Sequence, residues 1–219
     1  MNWYDNYVKG QGERILYDLK IFKRFVKPET EYVCEIGGFP YYFTRLIKQY
    51  LFNKTVLSVI DKMSANYKKD DFTVCYYSVD VEKEPLPFMD KSQEVVVLSE
   101  VFEHLANPIF VASEIERVLK KGGVLILTTP NLYKLENYAG YILGRGFKFG
   151  SYAELHREYE LGYKGHVREY TRRELCEFFS LNIINYRKVT FKSKNNLFFY
   201  FIKKVVPFLR EHQVLVMRK

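Results

Sequence analysis

The segment Tyr32-Val33-Cys34-Glu35-Ile36-Gly37-Gly38-Phe39-Pro40-Tyr41-Tyr42 constrains the fold of this chain more than any other stretch. An apolar run carrying one acid breaks at two glycines. It then passes into Phe43, Leu46, Ile47, Tyr50 and Leu51, which recur at helical spacing. Pro40 stands where the first turn of a helix tolerates proline. The pattern is strand, tight turn, helix. Glycines in such a turn let backbone pass close to a ligand, and the free N–H groups at the helix start favour an anion. An acid at the end of the strand suits a cationic or hydroxyl-bearing part of a nucleotide-like ligand.

The alternation then repeats. Residues 11–26 carry Ile15, Leu16, Leu19, Phe22, Phe25 and Val26 at helical period and stop before Pro28, which predicts a leading helix over the sheet. Lys54 to Ile60 reads as a second strand ending in Asp61, and Phe72 to Val79 as a third closing on Asp80 and Val81. Glu94 to Leu98 is a continuous apolar run, as expected of a parallel strand covered on both faces. Asn107 and Pro108 supply an N-cap and a first-turn proline for a helix with Val111, Ile115, Val118 and Leu119 inward, expected to stop at Gly122-Gly123. Val124 to Thr129 is a fifth strand. Thr171 and Glu174 form a capping box for a late helix, and Ile183 to Phe191 and Gln213 to Met217 read as two last strands. Strands alternating with helices predict an α/β fold with a doubly wound, mainly parallel sheet.

At 219 residues the chain reads as a single domain over 1–219, with an acceptor-side insertion at about 131–170 and a hydrophobic, basic segment at 196–211. It has no apolar span of transmembrane length. Its first residues are polar and aromatic, unlike a secretory signal. Cys34, Cys75 and Cys176 are scattered, with neither a disulfide framework nor metal-ligand spacing, so a reducing, cytoplasmic setting is expected. Residues 1–133 hold 17 Lys+Arg against 18 Asp+Glu, whereas 134–219 hold 17 against 8. That asymmetry points to an anionic partner on one face or to a merely basic surface. Residues 197–210 are read either as a helix buried against the domain or a second subunit of a homodimer, or as a peripheral membrane contact with Lys203, Lys204 and Arg210 near anionic lipid.

With these residues in order, roughly 30–180 of the chain resembles the class I S-adenosylmethionine-dependent methyltransferases, in particular the small-molecule and glycan-type, methyltransferase type 11-like members. Glu35-Ile36-Gly37-Gly38-Phe39-Pro40-Tyr41 is similar to their glycine motif, although Phe39 and Tyr41 stand where the family has its second and third glycines. The run from Glu94 through Glu103-His104-Leu105 to Glu114-Ile115 and Arg117-Val118-Leu119-Lys120-Lys121-Gly122-Gly123 is the most specific match. The resemblance implies a three-layer Rossmann-like methyltransferase fold, a mostly parallel seven-stranded sheet with an antiparallel last strand. It also implies S-adenosylmethionine as cofactor and S-adenosylhomocysteine as product. Cofactor-binding candidates are Glu35, Gly37, Gly38, Asp61 on the ribose, Asp80 and Val81 on the adenine side, and Ser99 and Glu100 at the end of the fourth strand.

Methyl transfer from a sulfonium needs position and, for an oxygen acceptor, a base. His104, just past the fourth strand, and His166 in the later loop are the catalytic candidates; a structural histidine at the helix start competes with the first. Arg168 and Tyr170 are substrate-binding candidates, with ordinary surface charge as the alternative for Arg168. His156 and His166 lack a partner acid pattern, and no metal is expected. The function expected is methyl transfer to a small molecule, a sugar or glycan hydroxyl foremost. The rivals are an RNA methyltransferase, favoured by the basic C-terminal part, and a non-catalytic protein with a degenerate cofactor site.

Overall fold

The computed structural model describes residues 3–38, 41–52, 54–62, 74–145, 165–191 and 197–219. The strands are β1 Tyr32–Ile36, β2 Val56–Ile60, β3 Val74–Tyr77, β4 Gln93–Ser99, β5 Leu119–Pro130, β6 Asn182–Val189 and β7 His212–Arg218. The helices are α1 Trp3–Phe25, α2 Tyr42–Lys48, α3 Pro108–Val118, α4 Leu135–Ile142, α5 Arg172–Phe178 and α6 Leu197–Val205. Short 3-10 turns lie at Phe102–His104 and Pro207–Leu209. One seven-stranded sheet runs in the order β3-β2-β1-β4-β5-β7-β6, with β7 antiparallel to both of its neighbours and the other pairings parallel. The expected three-layer α/β architecture and antiparallel last strand are therefore present. Phe72 and Thr73 of the expected third strand, Asn196, and 146–164 of the insertion lie outside the described residues.

The pleat sorts the strands' side chains into two cores. Val33, Leu57, Val59, Val95, Val97, Val124, Ile126, Val214 and Val216 face Leu19, Ile21 and Phe22 of α1 and Ile47 of α2. Cys34, Ile36, Ile60, Val96, Leu98, Leu125, Leu127, Leu215 and Met217 face α3 and α5 on the other side. Both faces are apolar, which is why the parallel strands read as unbroken hydrophobic runs.

The start of β5 departs from expectation. Helix α3 ends at Val118, and the chain is already extended at Leu119, before the glycines. Gln93 pairs with Leu119 but Val95 pairs with Val124, so β5 bulges across Gly122-Gly123. A Cβ on Gly123 would lie 2.9 Å from the Lys120 carbonyl oxygen. The glycines serve this close backbone approach rather than a helix stop. The Glu114 and Arg117 of the long motif are structural. Arg117 holds Glu114 at 2.7 and 2.8 Å and the carbonyls of Leu86 and Phe88 at 2.9 and 2.8 Å, while Glu114 accepts from the Leu86 N–H at 2.8 Å. Together they clamp the turn before β4 onto α3.

Two caps follow the expected chemistry. Asn107 accepts from the Phe110 N–H with Pro108 in the first turn of α3, and Thr171 and Glu174 form a reciprocal capping box on α5. Helix α6 exposes Phe198, Phe201 and Val205, so it is not buried within the chain, and no described helix is long and apolar enough to cross a membrane.

Phe102 joins the site to the fold. It is fully buried, with ring centroids 5.3 Å from Tyr170, 5.2 Å from Phe178 and 5.7 Å from Phe179. Phe102→Ala is expected to cost about 3–5 kcal/mol in urea unfolding. A loss below about 1 kcal/mol would show that this ring does not fasten the 3-10 turn to α5.

Candidate active site

β1 lies between β2 and β4, the point at which successive connections leave to opposite sides and at which ligands of such sheets bind. Ile36 is level with both Ile60 and Leu98, so Gly37, Asp61 and Ser99 leave the sheet side by side. Gly37 has φ +74°, and its N–H donates to the Ile60 carbonyl at 2.8 Å. A Cβ there would come within 2.2 Å of Val101 Cγ2, so both conformation and space call for glycine. Tyr41 also adopts a left-handed backbone, φ 65°. Its ring is buried in the core beneath α1, edge-on to Tyr76 at 5.1 Å. The side chain that replaces a family glycine thus points into packing and leaves the strand ends clear. Phe39 lies outside the described residues.

Glu35 sits directly under Gly38, and Thr44 Oγ1 donates to its carboxylate at 2.5 Å. Burial pushes the Glu35 carboxyl up to about 7, with the nearby charge of Asp61 adding to it. Asp61 is only half-buried, and its N–H donates to the Tyr77 carbonyl at 3.1 Å. Farther out, Asp80 pairs with Lys62 at 3.3 Å and Lys83 at 3.4 Å. Partial burial pulls its carboxyl up, but the Lys62 and Lys83 contacts and the Glu82 N–H outweigh this and hold it low. Val81 packs beside it on the core of the α3 face.

Past β4 the polar residues divide by face. Toward α1, the Ser99 hydroxyl donates to Asp18 at 3.0 Å and receives Thr128 Oγ1 at 3.2 Å, and Arg14 lies 3.6 Å from Asp18. Burial raises the Asp18 carboxyl to about 7 despite Arg14. Glu100 takes φ 54° and places its carboxylate 3.3 Å from His212 Nδ1. Burial works against ionisation there, yet His212 and Arg14 hold the group well below the usual range.

Toward α3 and α5, Glu103 is fully buried and Thr129 Oγ1 donates to its Oε2 at 2.9 Å. Its Oε1 faces His104 Nε2 at 3.9 Å and His166 Nε2 at 4.0 Å, and the two rings meet edge-on, centroids 4.8 Å apart. Burial and the charge of Glu100 push the Glu103 carboxyl well up. On its far side His166 Nδ1 lies 3.6 Å from Glu169, a buried carboxylate that also receives Asn137 Nδ2 at 2.8 Å and Lys134 Nζ. The backbone N–H groups of Val167 and Arg168 donate to the Glu103 carbonyl, which ties the His166 loop to the 3-10 turn.

A family model described as a methyltransferase domain matches residues 34–127. That stretch of the chain carries a methyltransferase domain, and the resemblance to the class I S-adenosylmethionine-dependent methyltransferases runs through it. No curated protein matches the sequence significantly. Solved structures with the same fold include the methyltransferase chain of a complex with the Haloferax volcanii Trm112 methyltransferase activator, 18% identical, with 98% of this chain and 94% of that one covered and a TM-score of 0.67. An S-adenosylmethionine-dependent methyltransferase from Archaeoglobus fulgidus is 13% identical over the whole of both chains, TM-score 0.64. The N-methyltransferase NodS from Bradyrhizobium japonicum, solved with S-adenosyl-L-homocysteine, is 13% identical over 95% of this chain and 87% of its own, TM-score 0.59. S-adenosylmethionine is the cofactor that the methyltransferase-domain match supports, and the strand ends fit it, because Tyr41 is withdrawn, Gly37 presents bare backbone and the half-buried Asp61 stands beside them.

One expected site residue is corrected. Tyr170 is buried against Phe102 and Phe178 and is part of the core rather than the acceptor pocket. Arg168 pairs with Glu174 at the surface and lies over the Tyr170 ring. His104 and His166 are brought together as the two catalytic candidates, whereas His156 lies outside the described residues. Glu103 was read only as part of the long motif, and Arg14, Asp18, Glu169 and His212 were missed. Of these, Arg14 and Asp18 carried a local signal, two charges four apart on the inward side of an amphipathic helix.

The raised carboxyls of Glu35 and Asp18 make stability depend on pH. A carboxyl raised by folding is protonated in the native state and ionised in the unfolded one between its two pKa values. Its contribution is present below about pH 4 and is lost as pH rises to about 7. Each group therefore lowers unfolding free energy by about 1.4 kcal/mol per pH unit in that window. Glu35→Gln, unfolded in urea at a series of pH values without cofactor, should lose one such slope. A curve parallel to that of the unmodified chain would mean that Glu35 is ionised in the fold.

Proposed function

We propose that this methyltransferase acts on a hydroxyl oxygen of a small molecule, a sugar or glycan in the first instance. The observation that carries the reading is the Glu103–His104–His166 group beside the end of β4. S-adenosylmethionine supplies an activated methyl group when bound. Gly37 and Gly38 would offer it backbone, Asp61 would hold its ribose hydroxyls, and Asp80 with Val81 would border the adenine. Glu35 shapes the turn from beneath through Thr44. Ser99 and Glu100 complete the edge, the first through its carbonyl because its hydroxyl is engaged with Asp18.

On the acceptor side, Glu169 lies 3.6 Å from His166 Nδ1, and Nε2 is turned toward Glu103 and His104. An imidazole so placed can take the proton of an acceptor hydroxyl, with the ionised Glu169 beside it to stabilise the charge. A sheltered edge lined by carboxylates and imidazoles suits a polyhydroxyl acceptor. The basic excess gives an RNA acceptor less support than its size suggests, because part of it is spent internally. Lys203 is buried between Glu136 and Glu211, and Arg210 holds backbone carbonyls.

Calorimetry with S-adenosylhomocysteine should show one site per chain, weakened by about 1–3 kcal/mol in Asp61→Ala. Undetectable heat at millimolar ligand would remove the cofactor assignment, and unchanged affinity would remove the role of Asp61. Methyl-labelled cofactor and a panel of sugars then test the acceptor class. His166→Ala should lower turnover about 10²–10⁴-fold with cofactor affinity unchanged, whereas undiminished turnover would exclude it as a base.

A further inference from the structure

The Glu103, His104 and His166 donors converge in a way that a proton-acceptor role alone does not require. Each offers one ligand atom, and these atoms lie within 4.8 Å of one another. Glu103 is fully buried, yet its Oε1 has no hydrogen-bond partner while it faces both Nε2 atoms. Separations of 3.9 and 4.0 Å are too long for hydrogen bonds and leave a gap of atomic size between the three side chains. A buried carboxylate oxygen without a partner is costly unless something else satisfies it.

We infer that Glu103, His104 and His166 hold a divalent transition-metal ion, a zinc- or manganese-class cation bound by one carboxylate and two imidazoles. Such ligands suit this class better than magnesium or calcium, which favour all-oxygen shells. The donors need to close on the ion by only a few tenths of an ångström to reach bond lengths of about 2.0–2.2 Å. The supporting contacts are those that ligand residues use elsewhere. Thr129 binds the outer oxygen of Glu103, and Glu169 orients His166 from Nδ1 so that Nε2 is the ligating atom. The backbone bonds from Val167 and Arg168 to the Glu103 carbonyl hold the two halves of the site in register. His104 and His166 are about a quarter and a third exposed, which gives the ion an entry path and open coordination positions.

This deepens the hydroxyl-acceptor reading and rests on it. An acceptor oxygen entering an open position gives its proton to solvent water and keeps the electron pair, and the oxidation state of the ion does not change. His104 and His166 would then serve as ligands rather than as bases.

The test uses the full chain stripped with chelator. Titration with manganese followed by electron paramagnetic resonance, and with zinc by calorimetry, should give one ion per chain with micromolar or tighter affinity. His104→Ala, His166→Ala and the near-isosteric Glu103→Gln should each weaken binding about 10-fold or more. All three should keep S-adenosylhomocysteine affinity within about 2-fold, which controls for folding. No binding of either ion at 1 mM, or binding indifferent to all three substitutions, would overturn the site. Retained cofactor heat together with chelator-resistant methyl transfer would reject the metal and leave the O-methyltransferase reading with a histidine base. Absent cofactor heat would instead reject the underlying reading.

Discussion

The backbone turn that leaves β1 sets the geometry on which the rest of the active edge depends. β1, β2 and β4 end level with one another, so the chain must climb off the sheet within two residues without covering its neighbours. Gly37 does so in a left-handed conformation at no steric cost. Tyr41 does it again at a cost of about 1–2 kcal/mol for a residue with a Cβ. Burying the Tyr41 ring against Tyr76 returns an amount of the same order. The substitution that looks damaging in the glycine motif is thereby converted into an anchor. It fastens the turn to the α1 face and keeps a large ring out of the ligand hollow.

Beyond the strand ends, the period of two along β4 and β5 decides which polar groups can meet. Ser99 and Thr128 continue the α1 face and find Asp18, whereas Thr129 continues the α3 face and finds Glu103. Glu100, in its own left-handed conformation, stands between the two groups and couples to His212 on one side and Glu103 on the other. Five acids (Asp18, Glu35, Glu100, Glu103 and Glu169) are therefore buried or nearly so at one edge of a sheet. Carboxyls in such surroundings are expensive to keep ionised, and folds that concentrate them at a sheet edge do so where a ligand or proton is handled. The environments are unequal. Glu100 and Glu169 are held low by cations and imidazoles, while Asp18, Glu35 and Glu103 are pushed up by burial. Groups driven apart in this way can divide the tasks of donor, acceptor and counter-ion.

The strands and their order of appearance were legible because they rest on local patterns: apolar runs, acids at their ends and capping residues such as Asn107 and Thr171. The start of β5 was not, since a glycine pair after a helical pattern signals both a C-cap and a bulge. Only the pairing of Gln93 with Leu119 distinguishes the two. At the site, the sequence supplied His104 and His166 separately but could not supply their meeting. That meeting depends on the loop bearing His166 folding back to donate two N–H groups to the Glu103 carbonyl. Tyr170 misled for a related reason. A tyrosine beside a candidate ligand residue looks like a pocket wall until its partners, Phe102 and Phe178, are known.

In the last part of the chain several of the cations that make up the basic excess serve the fold. A net excess of cations over residues 134–219 suggests a surface seeking an anion. Yet Lys203 lies 5% exposed between Glu136 and Glu211 and ties α6 to α4 and to the approach of β7. Arg210 reaches the carbonyls of Lys188 and Lys203, and Lys219 those of Glu116 and Leu119, so both serve as braces for chain ends. A cation fixed by internal acceptors contributes little to an external field and is not released to a phosphate without loss of those bonds. Besides Lys204, what α6 leaves exposed is apolar: Phe198, Phe201 and Val205, with Phe208 just after it. The exposed surface of this segment is therefore made mainly by its rings and branched chains, while Lys203 and Arg210 belong to the fold.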